Sequence, residues 1–407
     1  MKNTIVILSL ILIACFYHPF YRLLSGRTNE IEYWNSVWAD KWFYLMGILS
    51  LSLTYRLKQK YHWSICVLVA YLLLSALWAF GYSGSYYFAL RERLDDIKAN
   101  SSYAFIAIAL TVAFVSELKI KDLKVAEGVI GIIGFLNSAM IIAQRGFYYD
   151  KGLRGGFLGN PSMSGCFIAF ALPFMRNRLQ VVFGIIAILL TGTSQPVGVL
   201  AVVGAASLMW FPKRKRLMVN GIGLVIRPSY FKIISQVSFV LATACVFVYL
   251  TIPKITSKHG RSPFDDSGRF EMWKIAITPL FENGHYIVGQ GTGSTAALVP
   301  RLHLIHESKR HGVGEHFKID EWKWLHSDFI QLLFENGLVG LCLGILASVF
   351  ALYFSYLKSQ RLFAATSGLI ATAIFNFPAH FPIHAFSGAL ILAMCFRLRN
   401  EYDDSFV

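Results

Sequence analysis

The sequence predicts an all-α, polytopic membrane protein with about 12 transmembrane helices, and three observations lead there. Apolar runs of about 17 to 25 residues, long enough to cross roughly 30 Å of hydrocarbon, recur from one end of the 407-residue chain to the other. Hydrophobic residues make up 55% of the chain and charged ones 15%, against about a quarter charged in an ordinary soluble domain. The charge gathers in loops between the runs. In lipid each run must be a helix, because unpaired backbone groups there have no water to bond.

Taken in order, the spans fall near 4–24, 37–55, 63–81, 101–118, 125–144, 157–175, 179–193, 196–211, 235–252, 326–353, 362–378 and 383–397. The first follows Lys2 but is a span and not a secretory signal: no small-residue cleavage site follows it, and Phe16, Tyr17 and Phe20 give it a bulky end. The seventh is short and ends in the polar run Thr191-Gly192-Thr193-Ser194-Gln195-Pro196.

Placing the N-terminus in the cytoplasm puts the basic clusters Arg56/Lys58/Lys60, Lys119/Lys121/Lys124, Arg176/Arg178, Lys213–Arg216, Lys358/Arg361 and Arg397/Arg399 on the cytoplasmic side. Opposite short loops mix signs, as in Arg91-Glu92-Arg93-Leu94-Asp95-Asp96. The positive-inside rule then predicts that both termini are cytoplasmic. The formal net charge of +15 is thereby a matter of topology, and nucleic acid is not an expected partner. The six cysteines stand singly in apolar runs without paired spacing; they read as small buried hydrophobes.

The long hydrophilic segment, 253–325, falls outside in this topology. It carries Trp273, Phe281, Tyr286, Phe317, Trp322 and Trp324, too many aromatics for a disordered linker. The chain reads as a single integral membrane domain, 1–407, with this outer loop, 253–325, folded over its outer face.

Within the loop, Asp265-Asp266-Ser267-Gly268 precedes Arg269, and Phe270, Trp273, Ile277 and Leu280 or Phe281 follow at helical spacing. This predicts an amphipathic helix along the membrane surface with Arg269 in its first turn. A guanidinium beside free N–H groups suits an anion, and a pair with Asp265 or Asp266 is the competing role. Gly289-Gln290-Gly291-Thr292-Gly293-Ser294 lacks the βαβ setting of a dinucleotide fingerprint and reads as a tight turn near a ligand. His303, His306, His311 and His316 match no zinc spacing, so no metal is expected.

The most informative stretch runs from His326 through Gln331 to Glu335 and Gly337. It opens a span at the outer interface, where a neutral imidazole is a competent general base. Glu335 would sit about 13.5 Å deeper at 1.5 Å per residue, where ionisable groups are functional candidates. Arg145, Lys151 and Arg154 form a basic outer loop, against the topological bias, before Gly159-Asn160-Pro161-Ser162. Asn376-Phe377-Pro378-Ala379-His380-Phe381-Pro382 makes a last polar outer turn.

Together these pieces resemble the O-antigen ligase and polymerase superfamily of bacterial envelope enzymes. The resemblance rests on Arg154 with Gly159-Asn160-Pro161-Ser162, Gly268-Arg269 with Trp273, Gly289-Gln290-Gly291, His326, Gln331, Glu335 and Gly337, and the His380 turn, in that order over residues 150 to 385. It implies a metal-independent, GT-C-like glycosyltransferase without cofactor. Such an enzyme moves a glycan from an undecaprenyl-pyrophosphate carrier to lipid A core or a glycan acceptor at the periplasmic side of the inner membrane. By the same resemblance His326 and Arg269 are catalytic; Arg154, Arg145, Arg269 and Gln195 bind pyrophosphate; Asn160, Gly291, Gln331, Glu335 and His380 line the site. One departure stands out: Gln195 occupies the place where the family pattern has an arginine. The rival class is a polytopic transporter or lipid-linked oligosaccharide flippase; neither mid-span charges nor a matched pair of broken helices favours it. For the topology, a C-terminal reporter that works only outside the cytoplasm is expected to stay silent in cells, and a signal from it would overturn the assignment.

Overall fold

The structure, a computed structural model, describes residues 120–147, 155–158, 160–209, 216–219, 222–225, 269–291, 294–295, 298–299, 302, 325–376 and 382–396. Eight α-helices lie among them: α1 Ile120–Phe147, α2 Pro161–Ala171, α3 Arg178–Leu190, α4 Ser194–Met209, α5 Arg269–Glu282, α6 Asp328–Lys358, α7 Gln360–Phe375 and α8 Pro382–Phe396. Seven coincide with predicted spans, and α5 with the predicted loop helix. The predicted spans near 4–24, 37–55, 63–81, 101–118 and 235–252 lie outside the described residues. Two stretches, Lys124–Gly146 and Asp328–Lys358, are long and apolar enough to cross a bilayer by length and composition.

A departure from the all-α expectation is a short antiparallel pair, β1 Arg216–Val219 with β2 Ile222–Val225, in register Arg216↔Val225 to Val219↔Ile222. The intervening Asn220-Gly221 is the strongest short hairpin signal in a sequence. The predicted basic loop here begins a hairpin.

The chain divides into two compact units, residues 130–255 with 350–371, and residues 1–129 with 256–349 and 372–407. In the first, α2 is held at its start by Asn160, whose side chain accepts from the Met163 N–H, with Pro161 in the first turn. That is the residue pair a helix N-terminus favours. Asn177 and Gln180 form a capping box at the start of α3. Small residues allow close packing: a Cβ on Gly165 would stand 2.5 Å from Pro196 Cγ on α4. The core here gathers Ile141, Cys166, Ile168, Val199, Val203, Tyr356 and Phe363. Leu179, Val182, Ile185, Ile186 and Leu189 leave one side of α3 exposed and apolar, as a lipid-facing helix requires.

In the second unit α6 carries a break. Gly337 has φ 62 and ψ −165, so the helix stops at Asn336 and restarts beyond it. The backbone groups freed there find partners in 286–291. Gln290 N–H donates to Phe334 O (3.0 Å) and Gly291 N–H to Glu335 O (2.7 Å), while Leu338 N–H donates to Tyr286 O (2.8 Å) and Val339 N–H to Ile287 O (3.2 Å). Such close backbone approach demands glycine on both sides. A Cβ on Gly337 would lie 2.2 Å from Ile287 O, and one on Gly289 2.5 Å from Asn336 N. Gly337→Ala is therefore expected to lose at least about 1–3 kcal/mol for the backbone conformation alone, whereas Gly204→Ala, which meets nothing within 4 Å, gains about 0.5–1 kcal/mol. Thermal unfolding of both variants in detergent checks the contrast; equal tolerance would remove this account of the break.

Candidate functional site

In the second unit the site is built on the short half-helix before the break. Ser327 is its N-cap: its carbonyl accepts from Gln331 N–H (2.9 Å) and its hydroxyl from Ile330 N–H (3.4 Å). The cap is thus Ser327, and His326 precedes it in a left-handed conformation with φ 51. That is uncommon for a residue bearing a Cβ and costs energy that the surroundings must offset. Those surroundings are fixed on both sides. The Trp273 indole N–H donates to Leu325 O, Asp328 N–H donates to Asn376 O (3.1 Å), and Ser327 Oγ approaches Ala373 O (3.5 Å). His326 itself is half-buried.

Two turns further on, Glu335 is wholly buried. Its Oε1 accepts from Gln331 Nε2 (3.0 Å) and from Thr295 N–H (3.3 Å), while its carbonyl takes the Gly291 N–H. Gln331, Glu335 and Gly291, expected to share a site, do meet. Gln331 and Glu335 are four residues apart on one helical face, a spacing that allows the bond; the Thr295 contact carried no sequence signal.

Arg269 is the first residue of α5, as the sequence predicts. The buried face of α5 differs from the predicted stripe. Met272, Ile275, Ala276 and Leu280 are buried, while Phe281 is exposed and Trp273 and Ile277 are intermediate. Met272 and Ala276 pack with Val299, Leu325 and Phe334. The face of α5 that carries Met272 and Ala276 therefore lies against protein, while Phe281 near its end stays exposed.

In the first unit, Arg145 near the end of α1 donates through Nε to Leu190 O (3.1 Å), the last residue of α3. Five residues on, Gln195 Oε1 accepts from the Ser162 hydroxyl, beside the Asn160 cap. Arg145, Gln195 and Asn160 are thus gathered at one end of α1, α2 and α4. Arg145 has no carboxylate partner among the described residues. Its contact is also the ordinary one for a cation at a helix C-terminus.

Two residues that no motif marks do much of the positioning. Asn137 Oδ1 accepts from Phe157 N–H (2.9 Å), and Gln144 exchanges two bonds with Gly156, accepting its N–H at 2.9 Å and donating to its carbonyl at 3.4 Å. Gly156 sits at φ 55, and a Cβ there would reach 2.3 Å from Asn137 Oδ1. The chain just after Arg154 is thereby pinned to α1. Buried amides at i and i+7 in an apolar span are the signal that would find them. Arg154 and His380 lie outside the described residues.

Residues 179–345 match a family model described as O-antigen ligase. Over that stretch the chain is similar to the O-antigen ligase family. No curated protein matches the chain. The matched stretch takes in Gln195, Arg269, Gly291, His326, Gln331 and Glu335, and leaves Arg145, Arg154, Asn160 and His380 outside it. This similarity, with two helices long and apolar enough to cross a bilayer, supports a membrane protein with a likeness to O-antigen ligases.

The buried Glu335 contacts predict a stability order. Removing the acceptor in Glu335→Ala strands the Thr295 N–H and the Gln331 amide, at roughly 1–3 kcal/mol. Glu335→Gln keeps a carbonyl oxygen in place and is expected to lose less. Melting curves of the two purified variants decide it: if they fall together, the carboxylate charge and not its acceptor geometry holds the loop.

Proposed function

We propose that the protein transfers a glycan from an undecaprenyl-pyrophosphate carrier to an acceptor hydroxyl on the periplasmic side of the bacterial inner membrane. The acceptor is lipid A core, for a ligase, or a growing glycan, for a polymerase. The observation that carries the reading is the family match over 179–345, because it encloses His326, Arg269 and Glu335 in one stretch.

The chemistry asks for three things. The acceptor hydroxyl must lose its proton as its oxygen attacks the anomeric carbon, and His326 is the candidate base. The bond from that carbon to the carrier oxygen breaks, and undecaprenyl pyrophosphate leaves with the electron pair. Its growing negative charge calls for fixed cations, and Arg269 and Arg154 are the candidate clamps. At the Gln195 end, where the family arginine is replaced by a neutral amide, Arg145 is the candidate to supply the charge. Its Nε is engaged by Leu190 O, which leaves the terminal nitrogens of the guanidinium for an anion. Asn160, Gly291, Gln331, Glu335 and His380 line the site in this reading, and no metal or cofactor takes part.

Purified protein given lipid-linked glycan and candidate acceptors is expected to release undecaprenyl pyrophosphate. His326→Ala and Arg269→Ala should each lower that release by about 100-fold or more while eluting as folded protein. Full activity in both variants sinks the proposal, and movement of intact lipid-linked glycan without release would point to a flippase.

A further inference from the structure

Helix α6 is two helical pieces joined at the Gly337 break, 328–336 and 338–358. The second piece alone is as long as roughly 30 Å of hydrocarbon requires. The burial pattern shows how the first piece differs from it. From Asp328 to Gly337 nearly every side chain is buried against protein. Exposed side chains begin at Leu338 and recur at Cys342, Ile345 and Val349, the spacing of one helical stripe. Residues 338–358 rise about 31 Å, one hydrocarbon thickness, and end at Lys358 beside Arg361.

The segment 281–288 meets α6 at the start of that stripe, through the bonds from Tyr286 and Ile287 to Leu338 and Val339. It exposes Phe281, stacked on Tyr286 with ring centroids 5.5 Å apart. Ile287 and Val288 are 50% and 45% exposed. Between Phe281 and Tyr286 stand Glu282, Asn283 and His285. An apolar and aromatic edge interleaved with polar groups suits the headgroup boundary, where Tyr is enriched, and suits neither bulk water nor the hydrocarbon interior. The apolar edge also runs on, by way of Leu338 and Val339, into the lipid-facing stripe.

We infer that the outer hydrocarbon boundary lies at Gly337 and that segment 281–288 is an interfacial anchor seated in bilayer lipid. The half-helix bearing Gln331 and Glu335 then stands above the hydrocarbon, at the level of lipid phosphates and not 13.5 Å below the surface. The inference rests on α6 spanning the membrane and not on the transferase chemistry.

The test uses the full chain, its native cysteines replaced, in vesicles of phosphatidylethanolamine and phosphatidylglycerol. Nitroxide labels at Val288→Cys, Asn283→Cys and Ile345→Cys are compared for relaxation by oxygen and by a water-soluble nickel chelate. Position 345 should report deep hydrocarbon, 288 the upper acyl region and 283 water. Nickel access at 288 equal to that at 283 overturns the anchor; a label at 283 as deep as that at 345 overturns the boundary. Because Cys166 and Cys395 are buried and their replacement can unfold the chain, a second measurement leaves the cysteines in place. A benzophenone amino acid at Val288, irradiated in the same vesicles, should add the mass of a phospholipid, as the same group at Ile345 does. Adducts at 345 alone overturn the anchor. Neither readout requires glycan transfer, so failure of the anchor and failure of the transferase reading are separately visible.

Discussion

Everything around the candidate base hangs on how the break in α6 is closed. A helix that stops at Asn336 and restarts after Gly337 frees carbonyls on one side and N–H groups on the other, and a membrane protein has little water with which to satisfy them. Segment 286–291 supplies four backbone bonds, two to each side. Because these are main-chain bonds, the loop is tied to the helix whatever its side chains are. What the sequence must provide is room, and it does so with glycine at 289 and 337, where any Cβ would overlap the opposing chain.

That closure gives the half-helix before the break two fixed ends. At the lower end Glu335 accepts from Gly291 N–H through its backbone and from Thr295 N–H through its side chain. At the upper end the Trp273 indole, the Ser327 cap and Asn376 fix the backbone on either side of His326. A left-handed histidine survives only where neighbours over-determine it, and these contacts do so. In the proposed reaction, a backbone held in this way would lower the cost of placing the candidate base.

The helices were legible because apolar length and charged loops record them directly; the Gln331 to Glu335 bond was not read, although four-residue spacing allows it. The break was not legible, since hydropathy runs unchanged through it. Asn336-Gly337 is nonetheless a helix-stop signal, overruled in a sequence reading by the apolar residues on both sides. The buried face of α5 was misplaced by weighting aromatics: Phe281 is large but exposed, whereas Ala276 is small and buried. Small residues mark close contact, and hydrophobicity alone undervalues them. Asn137 and Gln144 escaped notice because their partners are backbone groups of a turn, which no side-chain pattern encodes.

Gln195 is the residue that most constrains the proposed chemistry. A neutral amide forms hydrogen bonds roughly half as strong as those of a charged donor, and its Oε1 is already engaged by Ser162. If a pyrophosphate is to be met at this end of α4, formal charge must come from a neighbour. Arg145 is joined to the same turn through Leu190 O and has no carboxylate among the described residues to neutralise it. Its geometry matters as much as its charge. With Nε fixed on a carbonyl, the planar guanidinium holds its two terminal nitrogens in a set direction, which a lysine ammonium does not. The Leu190 carbonyl also lies at the negative end of α3, which favours the cation. The contact that gives Arg145 an ordinary capping role is thus also what aims it.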